Sequence, residues 1–328
     1  MIVRRSVAPV AAVLLSLLSL VWLAAGCVSI RVFDGSRREL VETVVAGDEG
    51  PKILLLEIDG VLRESTEDRG LFAPDRESSV ARVREQLDRA REDSEVRALL
   101  LRVNSPGGTV TASDLIYREI VRFKQDRDVP VVAQLMGIAA SGGYYVAMAA
   151  DRVRAEPTTV TGSIGVLFLG VSFAGLMDKL GIEDQTLTAG EYKDAASPLR
   201  RMTPEERAQL QSVLDDLHAR FQRVVARGRS ELDEQRVAAL SDGRVFSASQ
   251  AEAQGLVDDI GGLDEAIAEA ERLAGLHTSR VVTYHRPREW KQNVYSKSAL
   301  PSALRLELVP WPEAIERPAF LYLWSPGS

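Results

Sequence analysis

Three apolar runs, spaced by segments of helical periodicity, constrain this chain more than any other feature. KILLLEIDG (52–60), ALLLRV (98–103) and VPVVAQLM (129–136) read as core strands. Between them, SSVARVREQLDRAREDSEV (78–96) and TASDLIYREIVRFKQ (111–125) place apolar residues every three or four positions with charges in between. The second opens on a Thr or Ser able to cap a helix. Strands alternating with amphipathic helices pair in parallel through right-handed crossovers, so the expected fold class is α/β. Farther on, TPEERAQLQSVLDDLHARFQRVVARGR (203–229) begins Thr-Pro-Glu-Glu and has a glycine near its end, the marks of a long helix. Its stripe of Leu210, Val213, Leu214, Leu217, Phe221 and Val224 suits a core or a subunit interface.

Two short segments carry candidate chemistry. GIAASGGYY (137–145) follows the third strand and precedes YYVAMAAD, whose small and apolar residues suit a buried helix, so Ser141 is expected on a strand-to-helix turn. Such a turn exposes a hydroxyl at the end of a sheet, and a helix N-terminus there favours developing negative charge. A serine attacks nothing at neutral pH without a base. Histidine is scarce: His218 lies in a charged helical stretch, and His277 and His285 come late with no acidic orienter in an obvious motif. Lys193, in GEYKDAASP (190–198), is the better candidate, because burial penalises an ammonium and draws its pKa toward neutrality.

Each of these residues has a plainer reading when taken alone. Lys193 fits a surface lysine paired with Glu191 or Asp194, and Ser141 fits a small residue chosen for tight helix packing. Ser163, in TGSIGV (161–166), fits a turn residue bonded to its own backbone. NSPGG (104–108) ends the second strand as an ordinary tight turn would, although Gly107 and Gly108 also let backbone amides approach a ligand that a side chain would block. Ala139 stands where G-x-S-x-G requires its first glycine, which counts against an α/β-hydrolase.

Taken together and in order, LLLRVNSPGGTVTASD (99–114), the Ser141 turn, TGSIGV, GEYKDAASP and GRVFSASQAEAQGLVDDIGGLDEAI (243–267) resemble the signal peptide peptidase A (protease IV) family of serine peptidases. The resemblance spans about Pro51 to Asp264, and Ser141 and Lys193 lie 52 residues apart, as in the family's short, single-repeat members. It implies Ser141 as nucleophile and Lys193 as general base. It further implies that the Ser163 hydroxyl helps to hold the lysine amine and that the Gly107-Gly108 segment lends a backbone N–H to an oxyanion hole. The implied fold is the crotonase-like ββα spiral shared with the Clp protease proteolytic subunit, here with a helical C-terminal part. Members assemble into homo-oligomers, and in short forms the dyad can be completed across a subunit boundary.

The amino terminus bears on location. After Arg4 and Arg5 no charge appears until Arg31, and Ala8 to Ala25 is rich in Leu, Val and Ala, as in a secretory signal or a single membrane span. Gly26-Cys27 after Leu23-Ala24-Ala25 looks like the lipobox of a bacterial lipoprotein, with Ala24 in place of the preferred Leu. Cys27 is the only cysteine, so no intramolecular disulfide is possible, and lipidation would explain a lone thiol in an exported chain. An uncleaved anchor helix is the other outcome, and both tether the protein to membrane lipid. The arginines at the start favour a cytoplasmic amino terminus, with the remainder on the outer face of the bacterial cell envelope.

The expected organisation is thus an anchor or signal segment over 1–27, a linker over 28–50, a peptidase domain over 51–285 and a tail over 286–328. The tail holds six of the 14 prolines and three of the four tryptophans, Trp290, Trp311 and Trp324. Proline at that density excludes a long regular helix, and the segment suits a strap on its own domain, a membrane contact, a cover for another subunit, or a peptide occluding the groove. A net charge of −7 with no basic face argues against nucleic acid. Without His/Cys clusters, no metal or cofactor is implied. The leading functional class is a membrane-tethered endopeptidase acting on signal peptide remnants or other extended apolar peptides. The alternatives are a crotonase-fold acyl-CoA enzyme, disfavoured by export, and a catalytically silent membrane scaffold.

Overall fold

In the computed structural model, which describes residues 39–66, 77–287, 291–296 and 320–324, the three apolar runs become adjacent strands of one sheet. The order along the chain is β1 (Val41–Ala46), β2 (Lys52–Asp59), α1 (Ser79–Glu92), β3 (Val96–Ser105), β4 (Gly107–Thr109), α2 (Val110–Arg127), β5 (Val131–Ala140) and α3 (Gly142–Ala147). There follow β6 (Arg152–Ala155), β7 (Val160–Gly162), β8 (Leu167–Phe168) and α4 (Ala174–Leu180). The rest comprises α5 (Pro204–Gly228), α6 (Glu234–Leu240), β9 (Val245–Ser247), α7 (Ala248–Ala253), β10 (Asp259–Ile260), α8 (Leu263–Ala274), β11 (Arg280–His285) and β12 (Phe320–Leu323).

The main sheet runs β1-β11-β2-β3-β5-β6-β10, with β7 added beside the far end of β5 and β9 beside β7. Pairings from β11 through β10 are parallel, as is β5 with β7, whereas β1 and β9 attach antiparallel. Parallel strands are normally covered on both faces, and alternate side chains here enter two cores. Leu54, Leu56, Leu99 and Leu101 pack with Val83 and Leu87 of α1 and with Ile116, Ile120 and Phe123 of α2. Ile53, Leu55, Leu100 and Val132 face the other way, against Leu263, Ala266 and Ala270 of α8. The expected α/β class is the one found.

Local chemistry explains the element ends. Thr203 caps α5 in a reciprocal box with Glu206, and Pro204 follows at the first helical position, as the sequence implies. The cap of α2 is Thr109 rather than Thr111 or Ser113: its hydroxyl accepts the Ala112 N–H at 3.1 Å, because the chain is still extended at the end of β4. Of the α5 stripe, Phe221 and Val224 are buried, while Leu210, Val213, Leu214 and Leu217 are half-covered. β1 falls inside the stretch expected as linker. It belongs to the sheet because Val45 enters a core while Glu42 turns to Lys52 at 2.9 Å.

Part of the tail is fastened to the domain. Buried Arg102 donates to Glu57 at 2.6 Å and to the carbonyls of Val294 and Ser296, and Lys291 donates to Glu57 at 2.5 Å. β12 stands in a second, three-stranded sheet between β4 and β8, antiparallel to both. The anchor segment with Cys27 lies outside the described residues, as do Trp290 and Trp311. Among the described residues no helix is long and apolar enough to cross a membrane.

Candidate active site

Ser141 sits where β5 ends and α3 begins, with φ 53° and ψ −119°. That conformation is costly for a residue with a Cβ, on the order of 1–3 kcal/mol, and persists only where the surroundings enforce it. They do so from both sides. The Ser141 N–H donates to the Gly162 carbonyl at 2.7 Å, continuing the β5-β7 pairing past Ala140, and the Ser141 carbonyl accepts the Tyr145 N–H at 2.9 Å. The Thr161 hydroxyl closes the same seam by donating to the Ala139 carbonyl at 2.6 Å.

Two glycines make the turn possible. A Cβ on Gly142 would stand 2.3 Å from the Ser113 hydroxyl oxygen, and one on Gly143 would stand 2.6 Å from the Ser105 carbonyl oxygen. The elbow therefore forms on S-G-G, and Ala139, buried and paired opposite Ser105, is no obstacle to it. The Ser141 side chain is buried, and its hydroxyl oxygen has no hydrogen-bond partner among the described residues. A buried, unpartnered hydroxyl is uncommon in a packed protein and calls for a reason.

Gly107 and Gly108 lie beside this turn, but they do different things. Gly107 has φ 100°, and its N–H donates to the Ser105 hydroxyl at 3.0 Å, so that amide is engaged. The Ser105 hydroxyl in turn donates to the Gly60 carbonyl at 2.6 Å. A Cβ on Gly107 would meet the Tyr322 carbonyl oxygen at 1.8 Å and the Gly142 nitrogen at 2.7 Å. Gly107 thus supplies clearance. On one edge of β4, Leu62 donates to the Gly107 carbonyl and accepts from Thr109, so Gly108 turns its own polar groups to the opposite edge, where β12 lies.

Ser163 also has a positive φ, 50°, and its N–H donates to the Arg244 carbonyl at 2.8 Å. It is buried and directly follows the last residue of the strand that fastens Ser141. Lys193 is placed otherwise than a shielded base requires: in the single chain it is exposed, and no hydrogen bond joins it to Ser141. From Gly165 to Glu205 no residue is buried, and Val171, Phe173, Leu176, Leu180, Ile182 and Leu187 present apolar surface to solvent.

What holds the Lys193 loop is its neighbour. Asp194 accepts from Arg200 Nε at 2.7 Å, and the same guanidinium reaches Glu206 at the start of α5. The Arg200 contact holds the Asp194 carboxyl below the usual carboxylate range, and Arg200 followed by the Thr203 N–H does the same for Glu206. Asp194 is therefore not the partner of Lys193.

An aromatic group backs the turn. Tyr145 stacks on Tyr322 with centroids 5.2 Å apart and meets Phe221 edge-on at 5.0 Å, and its hydroxyl donates to Asp114 at 2.7 Å. Burial, then the Asp114 carboxylate, push its phenol pKa well above the ordinary range. Arg220 and Arg118 also reach Asp114. Of the histidines, His285 bonds Thr43, and His218 lines a hollow of about 220 Å³ with Gly165 and Gly243. Sequence reasoning passed over Ser105, Thr161, Asp114 and the strand 320–323. Only the last carried a signal, the apolar FLYL within a proline-rich tail.

Against known proteins, residues 123–277 match the model of peptidase family S49, and residues 68–160 match that of Clp protease. A chain of Enterococcus faecium described as a signal peptide peptidase SppA is 35% identical over 254 residues, covering 77% of this chain and 73% of that one. A Synechocystis chain described as a protease is 40% identical over 190 residues, 58% of this chain and 68% of the other. Protease 4 of Salmonella typhi is 33% identical over 229 residues, 70% of this chain but 36% of its own length.

Proposed function

The chain belongs to peptidase family S49, and from that membership we propose a membrane-tethered serine endopeptidase that cuts residual signal peptides or other extended apolar peptides in the cell envelope. Ser141 is the nucleophile. The observation that carries this is its backbone: a strained turn presenting a buried hydroxyl without a partner, next to glycines that leave room for a peptide carbonyl.

In the reaction, neutral Lys193 Nζ takes the Ser141 hydroxyl proton as Oγ bonds to the scissile carbonyl carbon. The resulting oxyanion is held by backbone N–H groups from Gly108 and Gly142, and Lys193 returns the proton to the leaving amine as the peptide bond breaks. Lys193 Nζ then deprotonates a water that attacks the acyl carbon, and it gives that proton to Ser141 Oγ as the ester bond breaks and the acid product leaves. Ser163 orients the lysine. No metal or cofactor takes part.

Lys193 needs shielding to be neutral, and the single chain leaves it exposed. A homo-oligomer supplies that shielding. The apolar surface of the segment around α4 favours coverage by a second copy, and Lys193 completes the site of one subunit or its neighbour there. The stretch over 1–27 is the membrane tether, with lipidation at Cys27, and the catalytic domain lies on the extracytoplasmic side.

The test uses two full-length variants, Ser141→Ala and Lys193→Ala. Each alone is expected to lose peptide hydrolysis, and a fluorophosphonate is expected to label the wild-type chain at Ser141. Co-assembling the two variants restores part of the activity if the dyad spans subunits and none if it is internal. Turnover retained by either variant alone would refute the assigned roles.

A further inference from the structure

We propose that Ser105 is the positioning residue of the oxyanion hole: its buried hydroxyl holds the Gly107 amide and thereby aims the Gly108 N–H at the oxygen that becomes charged when Ser141 attacks. This rests on the reading of Ser141 as nucleophile.

The turn needs a side chain at this place. Ser105 ends β3, and Pro106 after it has no N–H to donate, so the first amide of the turn is that of Gly107. A serine oxygen can accept from an amide two residues on, and the Gly107 N–H donates to Ser105 Oγ at 3.0 Å. The hydroxyl has one proton and two carbonyls in range. Gly60, at 2.6 Å, takes it in preference to Gly107 at 3.5 Å. Gly60 is itself tied to the end of β3, its N–H donating to the Asn104 carbonyl at 3.1 Å. Ser105 therefore both accepts and donates while fully buried.

This arrangement decides where the Gly108 amide points. The Gly107 carbonyl, left free by Ser105, accepts the Leu62 N–H at 2.9 Å, and the Leu62 carbonyl accepts the Thr109 N–H at 3.1 Å. In a trans peptide unit the carbonyl and the following N–H point in opposite directions. With its carbonyl on Leu62, the Gly107-Gly108 unit turns the Gly108 N–H to the edge away from Leu62. Gly107 is thus pinned at its nitrogen by Ser105 and at its oxygen by Leu62, and the direction of the next amide is fixed.

The backbone of Ser105 reaches the other side of the hole. Across the sheet Ser105 pairs with Ala139, two residues before Ser141. Its carbonyl oxygen lies 2.6 Å from the Cβ position of Gly143, so the first turn of α3 rests on it. The Cβ position of Gly107 in turn lies 2.7 Å from the Gly142 nitrogen. The Gly108 and Gly142 amides, which hold the oxyanion, are therefore spaced through one residue. Full charge develops on that oxygen only as the tetrahedral species forms, so loss of the Ser105 hydroxyl costs turnover rather than substrate binding.

Full-length Ser105→Ala is compared with the wild type at a temperature where circular dichroism shows both folded. On a fluorogenic apolar peptide, kcat is expected to fall about 30-fold with KM within about twofold, since a misaimed donor costs less than a deleted one. A peptide boronate, whose adduct with Ser141 places an oxygen in the hole, should weaken by the factor that kcat/KM loses. The same peptide without boron, titrated by anisotropy into Ser141→Ala and Ser141→Ala/Ser105→Ala, should bind both alike. A loss confined to stability or to KM would overturn the assignment, as would a boronate affinity that holds while hydrolysis falls. If the alanine chain does not fold, Ser105→Cys, a weak donor and acceptor of similar shape, must show a smaller loss shared by kcat/KM and the boronate, or the proposal fails. Hydrogen exchange at the Gly107 amide is independent of Ser141 and should quicken at least ~10-fold in Ser105→Ala. Unchanged exchange there would overturn the assignment whatever the activity. Quickened exchange in a protein whose wild type forms no boronate adduct at Ser141 would reject the nucleophile and keep Ser105 as the residue that fixes the glycine amides.

Discussion

Arg200 donates from Nε to a carboxylate oxygen of Asp194 at 2.7 Å, and Asp194 is the residue next to Lys193. The guanidinium also holds Glu206 at the start of α5, so the loop that carries the proposed base is tied to a capped helix through one side chain. Both carboxyls are held below their ordinary values by Arg200. A depressed carboxyl contributes its stabilisation above its ordinary pKa and loses it as pH falls through the lowered one. The tie should therefore survive mild acid and release only below the usual carboxylate range. Arg200→Gln is expected to cut hydrolysis roughly tenfold near pH 7, mainly in kcat, and to raise the Asp194 titration, read by carboxylate NMR, back into the ordinary aspartate range. An unshifted titration with unchanged kcat would remove Arg200 from this role.

Ser141→Gly separates strain from function. Glycine adopts φ 53° freely, so the variant should gain up to about 1 kcal/mol in urea unfolding while losing peptide hydrolysis. Ser141→Ala keeps the Cβ and should show no such gain. Equal stabilities for the two would mean that the turn is not strained.

Gly107→Ala has no room. Its Cβ would press on two backbone atoms, the Tyr322 carbonyl oxygen and the Gly142 nitrogen, at a φ of 100° that alanine rarely adopts. We expect a loss of at least ~2 kcal/mol in unfolding free energy, with hydrolysis abolished. Gly175→Ala, with open space around its Cβ position, serves as the control and should change stability by less than ~0.5 kcal/mol.

Arg102→Met tests how the tail is fastened. The change strips two carbonyls, those of Val294 and Ser296, of a charged donor and leaves Glu57 with Lys291 alone. A cost on the order of 3 kcal/mol is expected, together with faster proteolysis near 291–296. Unaltered protease sensitivity there would show that the segment is held by other contacts.

The sheet and its helices were legible because β2, β3 and β5 bury both faces and so read as unbroken apolar runs, while α1, α2 and α5 keep one wet side and so read as periodic. β1 was not, since half of its faces are solvated and Glu42 spends its charge on Lys52. At the site, Ser141 was legible through the small residues that crowd it. The division of labour between Gly107 and Gly108 was not, because it depends on which edge of a three-residue strand each amide faces. Lys193 could be found by its motif, but its surroundings could not, since the chain by itself buries nothing between Gly165 and Glu205. β12 lay beyond reach for a different reason: a four-residue strand pairs with partners more than 150 residues away, and nothing local names them.

The bare segment around α4 also provides a clock. With no side chain of that helix buried, its amides have little but their own short ladder to slow isotope exchange with solvent. Deuterium uptake across 171–200 should be rapid in dilute protein and, under the proposed association of copies, retarded at high concentration; uptake that does not change with concentration would count against that association and against the shielding of Lys193 that it is proposed to supply.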